Sequence, residues 1–191
     1  MNRDSITKRL ISAVAKIEQH GMNTGEVMTI PDPEPMASMG RAADTLRNAP
    51  WFVCDASELT CTQIRALSRR LIREKQVQLI IVDYLGLIRP ETRAENRTQD
   101  VARISAALKA LTRETNIPVL VASQLNREPE SGGDSTPRLA HLRDSGSLEQ
   151  DADMVLMLHR PEMYAKTDAD KEKLKGLTDV HVAKNRNGRT G

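Results

Sequence analysis

Two aliphatic runs, QLIIVDYLGLI at residues 78–88 and VLVASQLNR at residues 119–127, limit what this chain can fold into more than any other feature. Each is a short stretch dominated by Leu, Ile and Val that reaches a polar residue, Asp83 in the first and Ser123 with Gln124 in the second. A strand with one solvated face alternates apolar with polar residues, whereas a strand covered by helices on both faces does not. These runs therefore predict neighbouring strands of a parallel sheet in an α/β domain. Ligands in open α/β sheets bind beyond the carboxyl ends of the strands, where Asp83 and Gln124 both fall.

The remaining sequence supplies the alternation that such a sheet needs. A helix is expected over residues 4–19, with Asp4 as cap and Ile6, Leu10, Ile11, Val14 and Ile17 on one side. Gly and Pro break residues 21–35 into a loop, a second helix covers residues 39–48, and WFVC at 51–54 reads as a strand. Thr60 and Gln63 form a capping-box pattern that opens a helix through Lys75, whose Arg69, Arg70, Arg73 and Lys75 make a solvated face. Strand 78–83, a polar stretch over 89–96, and a helix over 98–115 with Val101, Ile104, Leu108 and Leu111 as its buried stripe come next. Strand 118–123 follows, then a Gly-, Ser- and Pro-rich loop at 129–137, strand 154–160, a charged helix or loop at 167–175, and strand 180–184. At 191 residues this is one domain, 1–191, with strands and helices alternating at parallel-sheet spacing.

Composition removes several alternatives. Trp51, Phe52, Tyr84 and Tyr164 are the only aromatics, too few for base-stacking platforms, and a net charge of +2 does not by itself imply nucleic acid. Cys54 and Cys61 have neither metal-ligand spacing nor the pattern of a disulfide framework, which fits a reducing cytoplasm. No apolar run approaches the roughly 18 residues of a membrane helix. His20, His141, His159 and His181 are too scattered along the sequence to suggest a metal site.

Four segments carry candidate chemistry. Asp83 at a strand end suits a magnesium ligand, direct or through water, in a nucleotide-hydrolysing enzyme; it equally suits a turn cap. Gln124 on the adjacent strand can hydrogen-bond a γ-phosphate or its attacking water and register the loss of that phosphate. In LRDSGSLEQDADMV, residues 142–155, backbone N–H groups near Ser145 and Gly146 can meet phosphate oxygens with Arg143 adding charge, or Ser145 or Ser147 can simply cap a short helix. In AKNRNGRTG, residues 183–191, Lys184 and Arg186 follow a strand on an Asn- and Gly-rich turn, as either a finger toward a neighbouring subunit's phosphates or an incidental hairpin. No G-x-x-x-x-G-K-[ST] phosphate loop occurs in these residues.

Taken in order, LIIVDYLGLI, VLVASQLNRE, LRDSGSLEQDADMVLMLHR and VAKNRNGRTG resemble the C-terminal motor domain of DnaB-type replicative DNA helicases, including their bacteriophage relatives, over nearly the whole chain. MNRDSITKRL at the start is similar to the family segment after its second core strand. The resemblance implies a RecA-like P-loop NTPase core with a mostly parallel sheet flanked by helices, here lacking the first strand and the phosphate loop. It implies ATP and Mg2+ as cofactors, a homo-hexameric ring around single-stranded DNA, and primase and a helicase loader as further partners. By resemblance Asp83 is the Walker B acid on the magnesium shell, Gln124 links nucleotide state to the DNA loops, and Arg9 supports that link. Arg143, Asp144 and Gly146 match the loop touching the DNA backbone, where Glu is commoner than Asp, and Lys184 and Arg186 match the cationic pair that includes the arginine finger. Gly86 stands where the family commonly has Gln, a departure suggesting a phage or prophage branch. The family's phosphate loop and catalytic glutamate would lie upstream of Met1 and its last strands beyond Gly191. The expectation is a parent helicase truncated at both ends, with little ATPase activity in this piece alone. The alternatives are a non-catalytic prophage remnant that binds DNA or a helicase ring, and a recombinase or clock-type ATPase sharing the same sheet.

Overall fold

The computed structural model describes residues 3–24, 33–92, 94–125 and 136–191, apart from the side chains of residues 23 and 143–145. The chain forms two compact units, residues 1–57 and 58–191.

The first unit is helical. Helix α1 (Arg3–Ala15) stops where Lys16 turns left-handed at φ 56°, and the buried Ser12 hydroxyl closes this end by donating to the Ile17 carbonyl at 2.6 Å. The helix expected over residues 4–19 thus ends early, and a short helix α2 (Gln19–Thr24) follows, running into the segment 21–35 expected to be loop. Helix α3 (Glu34–Asn48) starts a turn earlier than its apolar pattern indicates, because proline is tolerated in a first helical turn and Pro35 occupies one here. The sequence reading of residues 51–54 as a strand is overturned. The Trp51 indole N–H donates to the Leu46 carbonyl at 2.6 Å, folding this segment against the end of α3, and it joins no ladder among the described residues.

The second unit holds the α/β core. Helix α4 (Cys61–Lys75) opens on the predicted capping box: Thr60 Oγ1 accepts from the Gln63 N–H at 3.4 Å, and Gln63 Oε1 accepts from the Thr60 N–H at 2.9 Å. Strand β1 (Ile80–Val82) pairs in parallel with β2 (Val119–Val121), with Ile80 opposite Val119 and Val82 opposite Val121. Between them runs helix α5 (Arg97–Thr115), capped by Asn96 and closed by left-handed Asn116. Its stripe of Val101, Ile104 and Leu108 meets Leu85 and Ile88, which follow β1 in sequence, and Val82, Val121 and Ile64 pack against this cluster. The opposite face of the pair is open, with Ile81 63% and Leu120 53% exposed. The expectation of two covered faces holds for one of them among the described residues.

A second sheet follows. After a 3-10 segment at Leu139–Ser145, helix α6 (Gly146–Asp151) leads into strand β3 (Met154–His159). A 3-10 turn at Pro161–Tyr164 and helix α7 (Asp168–Leu174) then reverse the chain into strand β4 (Asp179–Asn185), antiparallel to β3. This pair is antiparallel within an architecture expected to be mostly parallel, because the connection folds on itself instead of crossing over. The Glu162 carboxylate accepts from the Gly176 N–H at 2.7 Å, and Gly176, at φ 72°, supplies a backbone turn that other residues disfavour.

Candidate functional site

Asp83 and Gln124 lie at the same edge, just past the carboxyl ends of β1 and β2, and both are exposed. Two backbone bonds carry the pairing beyond the strands. The Ala122 N–H donates to the Val82 carbonyl at 3.0 Å, and the Leu85 N–H donates to the Ala122 carbonyl at 2.9 Å. Leu85, 5% exposed, then anchors the chain in the core directly behind Asp83. The edge is therefore a shelf tied by backbone pairing and anchored by Leu85, with polar residues on its rim. At Gly86 a Cβ would sit 2.5 Å from the Tyr84 ring, so a longer residue here would require that ring to move.

Lys184 and Arg186, at the far end of β4, converge on the C-terminus of α6. Lys184 Nζ donates to the Glu149 carbonyl and, at 3.3 Å, to the Gln150 carbonyl; Arg186 Nη2 donates to the same Gln150 carbonyl. The last carbonyls of a helix lack intrahelical donors and carry the negative end of its dipole, so two cations complete this terminus. The Arg186 N–H donates to the Asp153 carbonyl at 2.9 Å, and its guanidinium lies 3.5 Å from the Asp153 carboxylate. The other oxygen of that carboxylate accepts from Lys109 Nζ of α5 at 2.6 Å. The Lys109 hydrogen bond, helped by the charges of Lys109, Arg186 and Lys184, holds the Asp153 carboxyl below the usual carboxylate range. Below the helix, the Ser105 hydroxyl donates to Asp151 Oδ2 at 2.6 Å.

Gly146 is the first residue of α6, so this helix has the DNA-loop candidate at one end and the cation pair at the other. Arg143 and Asp144 belong to the preceding 3-10 segment, and their side chains lie outside the described residues. Ser147 does not cap α6: its hydroxyl is buried without a partner among the described residues. Arg9 is an exposed residue of α1 in the first unit.

Sequence reading missed Lys109, Ser105 and Asp153 as supports of this arrangement. Their positions on a helix stripe and at a strand start looked ordinary, and only the pairing of β3 with β4 brings Asp153, with Lys109 bound to it, to Arg186. It also misjudged the histidines. Antiparallel pairing sets His159 opposite Asp179 and Met157 opposite His181, which brings two of the four together.

The family model of the DnaB-like helicase C-terminal domain matches residues 1–191. The chain is 41% identical over 190 residues to the replicative DNA helicase DnaB of Mycobacterium leprae, covering all of this chain and 30% of that protein. It is 37% identical over 193 residues to that of Pasteurella multocida, covering all of this chain and 40% of the relative. Among solved structures, the ATPase domain of G40P superposes with a TM-score of 0.87 at 28% identity, covering 100% of this chain and 66% of that one. A DnaB-like replicative helicase studied for its interactions with primase gives 0.88 at 28% identity, with 100% and 45% covered. The chain thus spans between 30% and 40% of the length of such curated relatives.

Proposed function

Because this chain belongs to the DnaB-like helicase C-terminal domain family, we propose that it forms part of the motor of a replicative helicase that hydrolyses ATP with Mg2+ and translocates on single-stranded DNA as a hexameric ring. The observation that carries the reading is α6: a single short helix has the DNA-facing segment entering it and the Lys184–Arg186 pair bound to its exit. A change in what Arg186 holds would be felt at Gly146 through one rigid element.

In this reading Asp83 holds the magnesium shell through water, and Gln124 on the neighbouring strand senses the γ-phosphate. Arg9 supports that sensing, Arg143, Asp144 and Gly146 meet the DNA backbone, and Arg186 reaches the nucleotide of an adjacent subunit with Lys184 beside it. The family match runs unbroken across both compact units, which supports treating residues 1–191 as part of one motor domain. The solved relative described with primase supports primase as a partner, and a loader is expected alongside it. Cys54 and Cys61 are free thiols, which fits a reducing compartment, and we place the protein in the cytoplasm.

The test compares two preparations. The 191 residues alone should show no DNA-stimulated ATP turnover, because phosphate binding in such motors rests on a Walker A loop that these residues do not contain. The intact helicase should turn over ATP and lose that activity on Asp83→Ala while remaining folded. Turnover by the 191 residues that Asp83→Ala abolishes would refute the division of labour, and an intact protein indifferent to Asp83→Ala would refute the Walker B role.

A further inference from the structure

Beyond the Asp83–Gln124 edge and the cation turn, the described residues include another group of chemically capable side chains. His159 on β3 lies opposite Asp179 on β4, and His181 lies two residues further along β4. Residues directly opposite in an antiparallel pair share a face, as do residues two apart, so all three project from the same side of the ribbon. One potential ligand atom from each lies within 4.8 Å of the others, and His159 Nδ1 is 3.6 Å from Asp179 Oδ2.

We propose that His159, Asp179 and His181 form a zinc site that fastens the end of the β3–β4 ribbon opposite Lys184 and Arg186. Two imidazoles and one carboxylate, with water in the fourth position, are an ordinary donor set for Zn2+. At zinc–ligand distances of about 2.0–2.1 Å the ligand atoms would stand roughly 3.3 Å apart, so the His–Asp pair is already near its bound separation. His181 then closes the third corner by side-chain torsion.

Two observations favour a ligand here over a bare His–Asp ion pair. His181 Nε2 is buried and has no hydrogen-bond partner among the described residues, a costly state that coordination would relieve. The His159 side chain is only 10% exposed, and its ring stacks on Tyr164 at a centroid distance of 5.3 Å and an interplanar angle of 25°, so its orientation is fixed before any ion arrives. Asp179, 54% exposed, leaves the site open on one side for entry and for the water ligand. None of the three belongs to the proposed nucleotide or DNA residues, so the site stands or falls apart from that reading.

The experiment uses the untagged 191-residue chain stripped with chelator and titrated with zinc chloride, followed by calorimetry and thermal unfolding. One equivalent should bind, and binding to the native state should raise the melting temperature by mass action. His181→Ala and Asp179→Asn should each weaken binding by more than the ~10–100-fold that follows loss of a merely supporting group. His20→Ala, His141→Ala and Cys54→Ser should leave it unchanged. X-ray absorption on the zinc-loaded wild type should count two imidazole ligands and no sulfur, a readout independent of whether any variant folds. Absence of saturable binding, sulfur ligation, or affinity untouched by His181→Ala and Asp179→Asn would overturn the proposal.

Discussion

Asp153 shows how one side chain can serve packing and function together. Its two carboxylate oxygens face Lys109 Nζ at 2.6 Å and the Arg186 guanidinium at 3.5 Å, and its carbonyl receives the Arg186 N–H, so Asp153 holds Arg186 by both side chain and backbone. The Asp153 carboxyl titrates below its ordinary value chiefly because Lys109 donates to it. A folded-state value below the unfolded value of about 3.9 contributes stability that is fully present above that pH and is lost as pH falls through the folded value. Asp153 is 60% exposed, so solvent screening limits this contribution to at most ~1 kcal/mol. Asp153→Asn should therefore lower stability slightly at neutral pH, and its gap to the wild type should close as pH drops below about 4. Urea unfolding at a series of pH values measures this; a gap of constant size at every pH would assign Asp153 a purely geometric role.

Elements differ in how visibly their sequences announce them. Helices α4 and α5 were legible for different reasons: Thr60 with Gln63 marks the start of α4, and Val101, Ile104 and Leu108 of α5 fall on one stripe. The β1–β2 pair and the Asp83–Gln124 edge were legible because aliphatic runs ending in polar residues have few other uses. Residues 51–54 misled because apolar composition cannot say whether a partner strand exists, and here an indole hydrogen bond decided the outcome. The antiparallel β3–β4 pair was hidden because direction depends on how residues 160–178 fold, which local pattern does not encode. Helix stripe and open sheet face should respond oppositely to mutation. Leu108→Ala, in the core, should cost about 2–5 kcal/mol, whereas Ile81→Thr, at a position 63% exposed, should stay within about 0.5 kcal/mol; denaturant midpoints compare them directly. A large loss from Ile81→Thr would mean that this face is covered in solution. At the entry to α6, Arg143→Ala in the intact helicase should weaken single-stranded DNA binding alike for all sequences. It should reduce the slope of log affinity against log salt by about 0.7, one phosphate on a single strand. An unchanged slope would leave Arg143 a structural residue.

At the scale of the whole molecule, the proposed function raises the question whether Arg186 works within its own subunit or across the proposed ring. In the single chain its guanidinium rests on the Gln150 carbonyl and the Asp153 carboxylate, both its own, and it remains 46% exposed. That posture fits an arginine held at a fixed angle for a neighbour. A finger acting in trans stabilises charge developing on the transferred phosphoryl group and contributes on the order of 10³ to 10⁵ in rate. Arg186→Ala in the intact helicase should accordingly remove ATP turnover while leaving folding and nucleotide binding in place. Mixed rings separate the two possibilities. Subunits carrying Arg186→Ala and subunits carrying Asp83→Ala are each expected to be inactive alone. Co-assembled, some interfaces would join an intact Asp83 site to an intact neighbouring Arg186, and turnover should partly return if the finger acts in trans. Under a cis arrangement every active site lacks one component and no activity can return. Obligatory passage of hydrolysis around the ring would also suppress recovery, and rings containing a single Arg186→Ala subunit distinguish that case. A cis finger would leave five of six sites working, whereas strict sequential action would silence the ring.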